Sequence, residues 1–249
     1  MPITSLAYAP YAPVGVTATS AQPNYPATNA LTTSIQRPWR SNTTTGESIT
    51  LDLGSSKTVA CIAFSACNFF NYTLRADNSA IPTTVIASAA TGADDQSRFK
   101  GSITPAAPIT VRYISITPTG APTDGAAGYS IGAIYVFPAA PKLARDPLFG
   151  VSQIDTNAPQ SLTVLDNGAT IKDDIGIPYA EITLGFSGGT SDDFGYIFRA
   201  GHIGLMWLNL DGTNTTGRQW PVRYFEPKMS RKLQMFNREQ VQFVLKEQV

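Results

Sequence analysis

Apolar and polar side chains alternate along several short stretches of this chain, and that period admits extended strands and little else. Ile49, Leu51 and Leu53 fall on one side while Thr50 and Asp52 fall on the other. Ile182, Leu184 and Phe186 repeat the pattern, and so do Val241, Phe243 and Leu245 near the end. Successive side chains of a strand point to opposite faces, so each such run predicts a strand with one buried face. Residues 59–64 are nearly all apolar, which predicts a strand buried on both faces. Residues 111–116 and 131–137 read as further strands, the latter closing a domain by pairing with an early strand.

Pro138-Ala139-Ala140-Pro141 interrupts this pattern. Proline cannot donate to a ladder and stiffens a connection, so a boundary falls here. The chain has 249 residues, which at about 100–150 residues per domain favours two domains. The expected fold is all-β: an N-terminal jelly-roll β-sandwich over residues 1–137, a crossing segment over 138–160, and a smaller β-sandwich with one short helix over 161–249. Residues 1–28, rich in Pro, Ala and Thr, are expected to form an extended arm. The helix is expected from Thr190 or Ser191, with Asp192 and Asp193 in its first turn and Phe194, Ile197 and Phe198 on one face.

Lys plus Arg and Asp plus Glu both number 18, so the formal net charge is zero and no long-range pull on nucleic acid or an anionic membrane follows. Charged residues are 14% of the chain, below the roughly 25% of an ordinary domain, which suits turn-rich β structure or faces covered by other subunits. No apolar run approaches the roughly 18 residues of a membrane helix. The first residues carry no basic region before an apolar stretch, so no secretory signal is expected. Cys61 and Cys67 would lie roughly 20 Å apart if the segment between them is extended, too far to bridge, and are expected as small buried side chains.

Catalytic constellations are sparse. His202 is the one histidine, in a loop, with no Gly-x-Ser-x-Gly elbow beside it. Cys and His are too few and too scattered for a zinc quartet. The pairs Asp94-Asp95, Asp173-Asp174 and Asp192-Asp193 are adjacent in sequence, and neighbours in a strand face apart, so none makes a calcium cage by itself. No enzyme activity and no cofactor or metal are expected. Carbohydrate is the ligand class that the residues favour, because sugars are held by aromatic faces with planar polar groups nearby. Asn68, Phe69, Phe70, Asn71 and Tyr72 interleave aromatics with amides, and Arg40 sits beside Trp39 in a loop. These six, Arg40 and 68–72, are the candidate carbohydrate-binding residues.

The order Asn29-Ala30-Leu31, Trp39-Arg40-Ser41, residues 49–54, 59–64 and 68–77 resembles the discoidin-like (factor 5/8 type C, galactose-binding-like) jelly roll. The resemblance implies a binding or building role, with Trp39 packed under the sheet. The family's Asp-Gly after the Asn-Ala-Leu segment is replaced here by Thr32-Thr33, so its calcium is not expected.

Residues 181–247 are similar in strand order to the β-sandwich of phage distal tail and minor tail proteins. That resemblance implies a structural virion protein of a tailed bacteriophage. It would be a tail-tip or baseplate subunit assembled in the host cytoplasm, forming a ring with itself (a hexamer is expected) and docking other tail proteins. DNA would pass only through a lumen, facing an excess of seven basic over five acidic residues between positions 192 and 239. The alternative is a carbohydrate-binding adhesin that recognises host surface glycan.

Overall fold

The computed structural model describes residues 4–32, 36–93, 99–140, 153–157, 160–164, 170–174, 179–189, 204–210, 219–224, 230–235 and 238–247. Its regular structure is almost wholly extended. The first strands are β1 (Ser5–Tyr8), β2 (Gly15–Ala18), β3 (Trp39–Arg40) and β4 (Ile49–Val59), with one 3-10 turn at Ala27–Leu31 between the second and third. There follow β5 (Cys61–Cys67), β6 (Asn71–Asp77), β7 (Val85–Ala90), β8 (Gly92–Ala93), β9 (Phe99–Ile103), β10 (Ile109–Thr119), β11 (Ser130–Ile131) and β12 (Ala133–Phe137). The later part holds β13 (Gln153–Asn157), β14 (Gln160–Val164), β15 (Thr170–Asp174), β16 (Tyr179–Gly189), β17 (Met206–Asn209), β18 (Gln219–Tyr224), β19 (Ser230–Met235) and β20 (Arg238–Glu247). The short helix expected from Thr190 lies outside the described residues.

Two antiparallel sheets build the first sandwich. One runs β2-β4-β10-β6-β7 and the other β12-β5-β9-β8. Between them lie Ile49, Leu51 and Leu53 of β4, Ile62 and Phe64 of β5, Leu74 of β6, Ile114 and Ile116 of β10, and Ile134 and Val136 of β12, all buried. Each such aliphatic side chain contributes about 1.5–3 kcal/mol relative to exposure, so the alternation seen in the sequence is what closes this layer. Asp52-Leu53-Gly54 leads into a bulge within the long strand β4. The register with β10 jumps between Val111 and Tyr113, while Gly54 adopts φ +80° and donates its N–H to Asp52 Oδ1 at 2.7 Å.

β5 and β12 are buried on both faces. Ile62, Phe64, Ile134 and Val136 face the sandwich core, whereas Cys61, Ala63, Ala133, Tyr135 and Phe137 turn the other way. Against that second face pack Ala7, Leu205 and Trp207. A sheet ordered β1-β17-β18-β20-β16-β13, with β19 also on β20, therefore lies over the first sandwich as a third layer. A separate cluster of the same sheet buries Leu6, Ile182, Leu184, Met206, Leu208, Trp220, Val222 and Leu245. The near-continuous apolar run predicted at 59–64 owes its composition to this double cover.

The beginning of the chain differs from expectation. Residues 1–28 are not simply an arm of the jelly roll. β1 pairs antiparallel with β17 in the register Ser5↔Asn209 to Tyr8↔Met206, so it is a strand of the later sheet. Leu6 and Ala7 are 1% and 2% exposed, one on each face of that sheet. β2 then enters the five-stranded sheet beside β4. Cys61 and Cys67 are free and buried, as expected. No helix among the described residues is long and apolar enough to cross a membrane.

Candidate glycan-binding surface

Two of the candidate residues, Arg40 and Asn68, meet at one end of the first sandwich, around Ser130. β3 and β11 pair there, Arg40 opposite Ser130 and Trp39 opposite Ile131. On its other side Ser130 meets Asn68: the Asn68 N–H donates to Ser130 O at 3.4 Å, and the Ser130 N–H donates to Asn68 Oδ1 at 2.7 Å. Arg40 and Asn68, 28 positions apart in sequence, thus flank the same residue.

Three of the six predicted residues are structural. Asn68 is 6% exposed, and its Nδ2 donates to Gly128 O at 3.0 Å and to Asp124 Oδ1 at 3.1 Å. With Oδ1 held by Ser130, both ends of the amide are engaged in closing the 120–128 loop and are not available to a sugar. Phe69 is fully buried, edge-on to Tyr129 with centroids 6.0 Å apart. Tyr72 is 1% exposed and meets Phe64 edge-on at 4.8 Å; burial pushes its phenol pKa above the ordinary value. The strand period explains both. Tyr72, Leu74 and Ala76 form the inward face of β6, and Phe69 turns under the sandwich end. Trp39, also fully buried, donates its indole N–H to Ser20 O at 3.0 Å, as the discoidin-like resemblance implies.

The other three face solvent. Phe70 is 47% exposed, and among the described residues it is the one aromatic in the set of exposed large hydrophobics. Its backbone is held on every side. Asn68 O accepts from Thr123 N at 2.6 Å, Phe69 O from Thr91 Oγ1 at 2.7 Å, and Phe70 O from Thr91 N at 2.7 Å. Phe99 backs the ring edge-on with centroids 6.5 Å apart. Asn71, next to it, is exposed at the head of β6. Arg40 is exposed, with its guanidinium 4.2 Å from the centroid of the Tyr25 ring. The Arg40 N–H donates to Tyr25 O at 3.2 Å, and Gln22 N–H to Arg40 O at 2.9 Å, so its base is fixed.

Sequence reasoning passed over Tyr25, Thr91 and Phe99. Tyr25 stands between Pro23 and Pro26, a rigid-loop signal that could have marked it. Nothing local marks Thr91 or Phe99, whose roles arise from residues more than twenty positions away. The adjoining loop is ordered by Glu47. Its carboxylate accepts from Thr19 at 2.5 Å, Thr43 at 2.6 Å and Ser20 at 2.8 Å. Burial raises its pKa, but those hydroxyls outweigh burial and leave it below the ordinary carboxylate value. Among the described residues no three His, Cys, Asp or Glu side chains cluster as metal ligands. His202 and the Asp94-Asp95 and Asp192-Asp193 pairs lie outside the described residues.

No family model matches the chain, and no curated protein matches it. Among solved structures it is similar to the family 32 carbohydrate-binding module of C. perfringens NanJ in complex with galactose, at 22% identity over 53% of this chain and 98% of that one, TM-score 0.44. It is similar to chitosan-binding module 1 of the chitosanase/glucanase from Paenibacillus sp. IK-5, at 26% identity over 52% and 99%, TM-score 0.43. It is also similar to the CBM32 of AlyQ in complex with 4,5-unsaturated mannuronic acid, at 25% identity over 53% and 100%, TM-score 0.44. Each spans about half of this chain.

Proposed function

We propose that the end of the first sandwich binds glycan without turning it over. Phe70 is the platform for the apolar face of a sugar ring, and Asn71 and Arg40 are polar partners for hydroxyl or carboxylate groups. The observation that carries this reading is Phe70 itself: a large aromatic left nearly half exposed on a backbone pinned by Thr91 and Thr123. Leaving an aromatic in water forgoes its burial, and a fixed aromatic beside an amide is the arrangement that sugar faces recognise. Preorganisation matters because the ring need not be ordered when ligand arrives.

The tail-subunit reading, with its ring, its tail partners and its place on a virion, rests on the strand order of residues 181–247. The described contacts add nothing to it.

The test is an array of neutral and uronate-bearing oligosaccharides probed with the native chain and with Phe70→Ala. Discrete glycans should be retained by the native protein and lost by the variant, with the melting temperature unchanged. Retention of no glycan by the native protein, or equal retention by both, defeats the proposal.

A further inference from the structure

We propose that Glu247 and Gln219, both in the later sheet, are positioning residues for the Phe70 platform on the first sandwich. This rests on the glycan reading above for its functional meaning, but its structural basis is independent of any ligand.

The link is the five-residue strand β9. Its side chains alternate between two layers. Gly101 and Ile103 face the sandwich core; a Cβ on Gly101 would come within 2.6 Å of the Phe64 ring. Phe99, on the same side, backs Phe70. Lys100 and Ser102 point the opposite way, into the later sheet. Lys100 Nζ donates to Glu247 Oε1 at 2.6 Å, and both side chains are 2% exposed. Ser102 Oγ donates to Gln219 Oε1 at 2.6 Å, and Gln219 Nε2 returns to Lys100 O at 3.4 Å.

The anchors are themselves held. Glu247 Oε2 accepts the Ala180 N–H at 2.9 Å, and Gln219 Oε1 also accepts the Trp207 indole N–H at 3.3 Å. Lys100 Nζ lies 5.5 Å from the Trp220 ring centroid.

Within its own sheet β9 pairs Gly101, Ser102 and Ile103 in register with Phe64, Ala63 and Ile62 of β5, and Phe99 with Cys67 beyond a register shift. Lys100 and Phe99 pair with Gly92 and Ala93 of β8 on the other side, and Cys67 Sγ donates to Phe99 O at 3.2 Å. The register shift falls between Gly101 and Phe99, so the ladder does not run straight through Lys100, and the grip on the Lys100 and Ser102 side chains adds to what sets Phe99. Phe99 immediately precedes Lys100, so movement at Lys100 is movement of the ring behind Phe70. A binding group displaced by about 1 Å loses much of its effect.

The experiment compares Glu247→Gln and Gln219→Leu with Leu184→Ala. The last is a core change in the same sheet, at a residue outside the Lys100–Glu247 and Ser102–Gln219 hydrogen bonds. Hydrogen exchange is read across residues 99–103 with no ligand present, and retention is read on the same glycan array as Phe70→Ala, at a temperature where every variant is folded. Glu247→Gln should speed exchange in β9 and weaken retention by about tenfold, while Leu184→Ala leaves both at native values. Should Glu247→Gln not fold, Gln219→Leu carries the same two measurements.

Native exchange across 99–103 in these variants overturns the proposal. So does full glycan retention by Glu247→Gln where Phe70→Ala has lost it. Full retention by Phe70→Ala defeats the platform reading instead, and the exchange result still decides whether Glu247 fixes β9.

Discussion

Lys100 and Glu247, 147 positions apart, form an ion pair of 2.6 Å in which each side chain is 2% exposed. The pair sits between two layers that the sequence separates by a proline-rich break, and it is surrounded by Gln219, Ser102 and the Trp220 ring. Two charges removed from water gain net stability only if their remaining hydrogen-bonding positions are filled, which the Ala180 N–H helps to do.

Removing one member of this pair should therefore cost far more than removing both. Lys100→Met takes the 2.6 Å Lys100 ammonium from a buried carboxylate and should cost about 3–5 kcal/mol. Lys100→Met combined with Glu247→Gln, which keeps an oxygen for the Ala180 N–H, should cost well below the sum of the single changes. Urea denaturation of the three variants measures this coupling; simple additivity would show that the pair does not act as a unit.

Phe69 and Phe70 should respond oppositely to truncation. Phe69→Ala opens a cavity among Phe64, Tyr72 and Tyr129 and should destabilise by about 3–5 kcal/mol. Phe70→Ala removes a ring already half in water and should leave thermal stability nearly unchanged. Paired melting curves check the contrast.

Acid should act on Asp52 late. The Arg112 side chain, donating from Nε to Oδ1 at 2.8 Å and from a terminal nitrogen to Oδ2 at 2.9 Å, lowers its pKa from 3.8 to about 2 against the opposing effect of burial. A folded-state pKa below the unfolded value means that the stabilisation is complete above about pH 4 and is lost as pH falls toward 2. NMR titration of Asp52 should show this low midpoint, and Arg112→Met should return it toward 3.8.

Gly128 should tolerate no side chain. A Cβ there would stand 2.1 Å from the Ser41 carbonyl oxygen, and that backbone is held by the Ser41 N–H donating to Tyr129 O at 2.9 Å. Gly128→Ala should destabilise by about 1–3 kcal/mol or more through overpacking and should loosen the loop that Asn68 closes. Gly46→Ala, at φ +67° with nothing within 4 Å, involves backbone strain alone and should cost less. Chemical denaturation of both ranks them.

The six candidate residues show how far local pattern reaches. The 68–72 cluster was legible as aromatic and polar, and Arg40 as a loop cation, yet only Phe70, Asn71 and Arg40 reach solvent. Residue type could not separate Phe69 from Phe70, because the choice depends on Thr123 holding the Asn68 carbonyl and Thr91 holding those of Phe69 and Phe70. The apolar run at 59–64 is covered on both faces, as its composition predicts. Its second cover, Ala7 with Leu205 and Trp207, comes from both ends of the chain.

Alternation along the sequence was enough to set the all-β class, the inward face of most strands and the membership of the main core, because a strand's side-chain period is a local property of the backbone. The pairing of Ser5 with Asn209, the grip of Glu247 on Lys100 and the exposure of Phe70 were decided only by the packed layers. The period says which side chains share a face. It says nothing about which distant segment comes to cover that face, and burial and charge pairing depend on the cover.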